Sequence, residues 1–362
     1  MRVAILGVGL IGGSIGLAAK ERLEGAEVVG WGRTRANLDR ALELGAIDRA
    51  ADSLGQACEG AEVVFCAAPV AALPKQVEAA LAAGGPETVV TDAGSTKREL
   101  VARFGDDERF IGGHPLAGAE TAGVDNARAD LFEGARWYLT PTERSGGLLY
   151  DRLQRTIADL GARPQALDAE THDRLMATVS HLPHVLANVL VSQAAEELTR
   201  DSERMPEVGP SFRDTTRVAG SNPAIWGDIF TSNREAVAEA IDVAVERLRA
   251  AAELIRGGDR DAIASWHAAA AEDRRGLLEA ELEGGSLYEL RVVVVNRPGT
   301  VAELALALSE AGVNIEDMAL YPAPDMNSGA VSLWVSGAER AERAATLVRE
   351  LGHAVTVLGA ES

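Results

Sequence analysis

The chain opens Val3-Ala4-Ile5-Leu6-Gly7-Val8-Gly9-Leu10-Ile11-Gly12-Gly13-Ser14-Ile15-Gly16. A short apolar run that stops at glycine reads as a buried strand, and a helical segment follows it. Gly7-x-Gly9-x-x-Gly12 then lies where a strand–turn–helix cradle for a dinucleotide needs it. Gly7 permits the tight turn, Gly9 lets the backbone approach a pyrophosphate, and Gly12 allows close helix–strand packing. Leu10 and Ile11 occupy the first helical positions, whose free N–H groups point at the phosphates. Residues 3–19 carry no charge and follow Arg2, as a signal segment would. Glycine, however, costs a helical segment about 1 kcal/mol each, and the cradle accounts for three of the five glycines in this stretch.

Working outward, the next apolar run ends in Trp31-Gly32-Arg33-Thr34-Arg35. An NAD site commonly has an acid here to accept from the ribose 2′-OH. This chain has arginines instead, so the expected cofactor is NAD or NADP with a lean to NADP, held in part by Arg33 and Thr34. Two solvated arginines starting a helix remain the alternative.

Strand-like runs recur at Val28–Trp31, Val63–Ala67, Thr88–Thr91, Phe110–Gly112 and Trp137–Thr140, with helical segments such as Arg35–Leu44 and Lys75–Ala83 between them. That alternation predicts an α/β domain with a doubly wound, mostly parallel sheet over residues 1–168. From Glu170 the strand signals vanish. Thr171–Thr199, Arg234–Ile255 and Arg260–Glu281 carry helical periodicity, and Met205–Ser221 reads as partly irregular. An all-helical domain over 169–283 with large apolar faces is expected to pair with a second copy, making a homodimer. Gly284-Gly285-Ser286 reads as a linker. Residues 287–362 then show a βαββαβ pattern, the ferredoxin-like arrangement.

The 362 residues, 47% hydrophobic and 25% charged, fit a soluble globular chain of two or three domains. A net charge of −20 argues against nucleic acid, which needs a basic footprint. No membrane partner is expected. The two cysteines, Cys58 and Cys66, are too few for a disulfide framework and fit a reducing, cytoplasmic compartment.

Four further motifs carry candidate chemistry. Thr91-Asp92-Ala93-Gly94-Ser95-Thr96-Lys97 and Gly112-Gly113-His114-Pro115-Leu116 each follow a strand, at the carboxyl end where open α/β sheets bind ligands. Ser95 reads either as a substrate hydrogen-bonding group or as a plain helix cap. His114, among small residues, has the unperturbed pKa of a base working near neutrality. In Ser180-His181-Leu182-Pro183-His184 the two histidines share one helical face, and Pro183 frees the Val179 carbonyl, so a kink is expected. No Cys or Glu stands at metal spacing beside them, and no metal is expected. Asp214 and Arg217 are spaced so that, on a helix, the carboxylate holds the guanidinium ready for a bidentate anion. Trp226 alone reads as core.

In this order, the glycine turn, Asp92-Ala-Gly-Ser95, His114-Pro-Leu-Ala-Gly, Ser180-His-Leu-Pro-His and Asp214-Thr-Thr-Arg217 resemble the prephenate/arogenate dehydrogenase family of tyrosine biosynthesis, over roughly residues 1–280. The resemblance implies a Rossmann domain, a helical dimerisation domain, and oxidative decarboxylation of a cyclohexadienol with hydride transfer to NAD(P)+. It implies that His114 is the base on the C4 hydroxyl and that Ser95 hydrogen-bonds the same group. It further implies that Arg217, oriented by Asp214, holds the side-chain carboxylate. His181 and His184 would line the cleft, Glu120 would sit at its mouth, and Trp226 would reach in from the second copy. The tail, with Asn296-Arg297-Pro298-Gly299-Thr300 and Gly312-Val313-Asn314-Ile315, looks like an ACT domain. That implies an amino-acid effector, tyrosine first, bound at Gly312, Val313, Asn314 and Ile315. A β-hydroxyacid-type dehydrogenase would place a lysine base on the helical domain, and no lysine follows Lys97. A non-catalytic sensor on the same scaffold would have lost Ser95, His114 or Arg217, and all three are present.

Overall fold

In the computed structural model the opening apolar run is strand β1 (Arg2–Leu6), and residues 1–118, 121–199, 208–279, 286–295, 297, 299–322 and 328–358 are described. After it come α1 (Leu10–Arg22), β2 (Glu27–Trp31), α2 (Arg35–Glu43), β3 (Arg49–Ala50), α3 (Leu54–Cys58), β4 (Val63–Cys66), α4 (Leu73–Ala83) and β5 (Val89–Asp92). These strands form one parallel sheet in the order β3-β2-β1-β4-β5. Val3 and Ile5 pack to one side with Ile15 and Trp137, whereas Ala4 and Leu6 pack to the other with Leu73 and Val77. Both faces are covered, which is why β1 is apolar at consecutive rather than alternate positions.

The doubly wound pattern stops at β5. Next come α5 (Arg98–Phe104), β6 (Gly112–Pro115), β7 (Arg136–Thr140), α6 (Gly147–Asp159) and β8 (Arg163–Ala166). They build a separate sheet, β6-β7-β8, whose first pair is antiparallel and second parallel. Among its described residues the link from β6 to β7 contains a short 3-10 turn (Val124–Asn126) and no crossover helix, so the chain doubles back. The strand expected at Phe110–Gly112 lies two residues later. Phe110 makes only an isolated parallel bridge to Val90. β3, of two residues, is too short to show a period in sequence.

The helical region consists of α7 (Ala169–Met176), a π-helical turn (Ala177–His181), α8 (Leu182–Thr199), α9 (Pro210–Thr216), a 3-10 turn (Arg217–Gly220), α10 (Pro223–Ser232), α11 (Arg234–Gly257) and α12 (Arg260–Glu279). Where the kink is expected from Pro183 the helix contains the π turn, closed by the Leu182 N–H donating to the Ala177 carbonyl. Part of the stretch expected to be irregular is helical: Pro210 starts α9, where its lack of an N–H costs nothing. Residues 169–197 are the one helical run among the described residues long and apolar enough to cross a membrane. Its first turns nevertheless bury His172 and Asp173 in hydrogen bonds to the rest of the protein.

Two compact units divide within α11, at residues 1–247 and 248–362. Beyond the division α11 leaves Leu248 and Ile255 exposed. The second unit ends in β9 (Leu287–Val295), α13 (Thr300–Glu310), β10 (Asp317–Pro322), β11 (Ser328–Ser336), α14 (Ala338–Glu350) and β12 (Ala354–Leu358). Their antiparallel sheet has the order β10-β11-β9-β12, the ferredoxin-like arrangement expected from the βαββαβ pattern. Leu290, Val292, Leu304, Leu308, Val331, Leu333 and Val335 make its core. Gly312 has φ +69° and caps α13 in the left-handed region, and a Cβ at this position would meet nothing within 4 Å. Val313 is buried in this core and Ile315 packs on it, which leaves Asn314 as the exposed side chain of the four. The linker glycines Gly284 and Gly285, and Asn296 and Pro298, lie outside the described residues.

Candidate active site

The cradle at the end of β1 meets its stereochemical demands. Gly7 has φ +104°, and a Cβ there would stand 2.6 Å from the Ala67 carbonyl oxygen. A Cβ on Gly12 would stand 2.1 Å from the Gly7 oxygen. Gly9 caps α1 and faces open space, which leaves room for a phosphate at the helix N-terminus. Leu10 and Ile11 form the first turn of α1.

Beside the cradle is a cleft of about 330 Å³. Trp31, Gly32, Arg33 and Thr34 line it from β2 and the following loop; Ala72, Lys75 and Gln76 line it from α4 and the turn before it. Its lining contains two cations, Arg33 and Lys75, and no carboxylate. Among the described residues neither cation is ion-paired. Lys75 is an addition to the sequence reading: it reaches the cleft only because α4 follows the neighbouring strand β4.

His114 lies on β6, half-buried, and its Nδ1 is 2.9 Å from His172 Nε2. His172 is fully buried, and its Nδ1 is 2.8 Å from the Asp173 carboxylate. Asp173 in turn accepts from the backbone N–H of Lys97 at 2.8 Å and of Arg98 at 2.9 Å, capping α5. A carboxylate only accepts, so His172 Nδ1 donates to Asp173. In the neutral form of His172 its Nε2 then accepts, and His114 Nδ1 donates to it. The lone pair of His114 is left on Nε2, free to take a proton. Burial, then the neighbouring His172, Lys97 and His181, push the His114 pKa well below its usual value. The ring is neutral at pH 7, as a base must be.

Ser95 is half-buried in the 93–97 loop; Lys97, not Ser95, is the cap residue of α5. That loop is pinned from several sides. Asp92 and Lys97 are fully buried and joined Nζ to Oδ2. Asp92 also accepts from Gly94 N at 2.8 Å and from Gly113 N at 3.1 Å. Thr96 and Ser232 share a 2.7 Å hydroxyl contact. Sequence reasoning missed His172, Asp173 and the Asp92–Lys97 pair as site elements. An acid closing an apolar strand, Val89-Val90-Thr91-Asp92, was the available signal for the last of these.

His181 is fully buried at the end of the π turn. Its Nδ1 accepts from Asn233 Nδ2 at 3.2 Å, and Asn233 also donates to the Asp173 carbonyl at 2.7 Å. Burial pushes the His181 pKa down to about 4. Through Asn233 His181 is tied to the backbone of Asp173. His184 is half-buried, with its pKa lowered by burial and by the Arg217 cation. Trp226 stacks on His184 with ring centres 3.4 Å apart and meets His181 edge-on at 5.9 Å. These contacts lie within its own chain. Asp214 and Arg217 are exposed, one on the last turn of α9 and the other starting the 3-10 turn. Glu120 lies outside the described residues. No cluster able to hold a metal ion exists among the described residues.

Comparison with known proteins bears on this arrangement. Residues 15–165 match the family profile described as prephenate dehydrogenase, nucleotide-binding domain, and residues 168–268 match prephenate dehydrogenase, dimerization domain. The chain is 31% identical to prephenate dehydrogenase of Bacillus subtilis over 87% of each chain. It is also 31% identical to cyclohexadienyl dehydrogenase of Zymomonas mobilis, over 72% of this chain and 90% of that one. The crystal structure of A. aeolicus prephenate dehydrogenase in complex with hydroxyphenyl propionate and NAD+ superposes with a TM-score of 0.72 at 29% identity, covering 76% of this chain and 98% of that one. Synechocystis arogenate dehydrogenase gives a TM-score of 0.68 at 27% identity, covering 76% and 100%.

Proposed function

Because the chain belongs to the prephenate dehydrogenase family, we propose that it converts prephenate to 4-hydroxyphenylpyruvate and CO2, or arogenate to tyrosine and CO2, with reduction of NAD(P)+. The observation that carries this reading is the chain of bonds from Asp173 through His172 to His114, which leaves one basic nitrogen at the carboxyl end of the sheet. Bound over the glycine cradle, the dinucleotide supplies the hydride acceptor. His114 takes the proton of the C4 hydroxyl as the hydride leaves C4, and Asp173 stabilises the resulting imidazolium through His172. Ser95 hydrogen-bonds the same hydroxyl. Arg217 holds the side-chain carboxylate, with Asp214 one turn before it and Glu120 at the mouth of the cleft. His184 and Trp226 form a stacked wall against the substrate ring, and His181 backs it.

The cofactor is NADP in preference to NAD. Arg33 and Lys75 in a cleft lined by no carboxylate favour a ribose 2′-phosphate, and Thr34 adds a hydroxyl. Purified protein assayed with prephenate and with arogenate, each with NAD+ and NADP+, tests the whole reading. Turnover of neither substrate sinks it. In the same assay Arg33→Asp should move preference toward NAD+, because an acid repels the 2′-phosphate and accepts from a free 2′-OH. A wild type that already strongly prefers NAD+ refutes the arginine argument.

The working assembly is a cytoplasmic homodimer of three-domain chains, divided 1–168, 169–283 and 287–362. The exposed Val189, Leu190 and Val191 of α8 give the helical domain an apolar face for its partner, and the free thiols Cys58 and Cys66 suit a reducing compartment. The tail is an ACT domain that senses tyrosine. Its ferredoxin-like sheet lies beyond the residues matched by the two family profiles, and the chemistry needs nothing from it. Asn314, exposed after the Gly312 turn, can both donate to and accept from an amino acid. Tyrosine should inhibit full-length enzyme with a coupling of about 5–150-fold in affinity. A chain ending after Glu283 should not respond. An identical response from both proteins, or none from the full-length one, removes the tail as a tyrosine sensor.

A further inference from the structure

Gln76 lies on the buried side of α4 and is 7% exposed. Its Oε1 is buried and has no hydrogen-bond partner among the described residues, although the side chain lines the cleft beside the glycine cradle. A buried carboxamide oxygen without a donor is a costly arrangement that native proteins seldom keep without a use. Around it the cleft is walled by Leu38, Leu54, Ala68 and Ala72. Apolar walls beside a carboxamide suit a purine base, and Arg33, Thr34, Asn37 and Lys75 in the same lining supply donors for a sugar and phosphate.

Taking the dinucleotide reading of the cleft as given, we propose that Gln76 is the residue that recognises the adenine of the cofactor. A carboxamide offers one acceptor and one donor side by side. The N6–H and N7 edge of adenine offers the complementary pair, so Oε1 accepts from N6–H while the amide N–H donates to N7. Guanine and hypoxanthine present two acceptors on that edge, O6 and N7, and whichever way the amide turns one lone pair meets another. The terminal torsion of glutamine is soft, which lets the amide turn its polar edge into the slot without moving α4. Arg33 and Lys75 line the same cleft, so the base and the ribose substituent would be read within one site.

The test is equilibrium binding by calorimetry on the full-length protein, with no substrate present. The probes are NADPH and deamino-NADPH, in which hypoxanthine replaces adenine. Wild type should bind deamino-NADPH about 5–150-fold more weakly, the discrimination of one bidentate amide–adenine pair. Gln76→Leu should weaken NADPH binding and leave deamino-NADPH nearly unchanged, so that the ratio collapses toward one. Gln76→Met, closer in length and volume, should do the same if the leucine variant does not fold. A wild-type ratio near one overturns the proposal, as does a wild-type ratio that persists in either variant. If wild type binds neither probe, nor NADH, the dinucleotide reading itself falls, and with it the role of Gln76.

Discussion

His114→Asn should fold, bind cofactor and lose about 10²–10⁴ of kcat, the usual contribution of a positioned base and equivalent to about 3–5 kcal/mol. Asparagine keeps a polar group near His172 but has no nitrogen that can take a proton. The loss should fall on kcat rather than on cofactor affinity, because His114 sits on β6 and the glycine cradle follows β1. The pH profile of the wild type gives an independent check. With the His114 pKa held well below its ordinary value by burial and by the neighbouring His172 and Lys97, the base stays neutral as pH falls through 6.5. The acid limb of kcat/KM, which reports the free enzyme, should therefore lie clearly on the acid side of an ordinary histidine titration. Near-normal turnover in His114→Asn, or an acid limb centred at pH 6.5 or above, removes His114 from the chemistry.

Lys97→Met should be among the most destabilising single changes in the first unit. Lys97 and Asp92 are both fully buried, and methionine replaces the chain without the charge. The carboxylate of Asp92 is then left inside the protein with only the Gly94 and Gly113 amides as donors. Breaking a buried pair in this way costs about 3–5 kcal/mol. At 2–4 °C per kcal/mol for a unit of this size, Tm should fall by roughly 6–20 °C. Asp92→Asn combined with Lys97→Met removes the orphaned charge and should recover much of the loss, so the two changes should be strongly non-additive. Because Gly113 precedes His114, activity should fall further than the unfolded fraction alone explains. An unchanged Tm in Lys97→Met means that the pair contributes nothing to stability.

Much of this protein is legible in its residues taken in order. Val3–Leu6 with Gly7, Gly9 and Gly12 determines a strand, a left-handed turn and a helix start, because only glycine tolerates φ +104° and the contact at residue 12. The parallel core, the change to helices after residue 168 and the βαββαβ tail follow from apolar period and length alone, which are local properties. His114 was legible because it follows an apolar run and stands among small residues. Other features belong to the tertiary structure. β6 turns antiparallel because of what the described residues of the 116–135 link lack, and a sequence does not mark the absence of a crossover. His172 and Asp173 acquire their roles only when α7 is laid against β6 and the start of α5, residues 58 and 76 positions away respectively. Lys75 and Gln76 reach the cofactor cleft only because β4 pairs with β1, which brings α4 beside the glycine turn. Hydrogen-bond partners and proton positions depend on distances between segments remote in sequence, and those distances exist only once the sheet has set them.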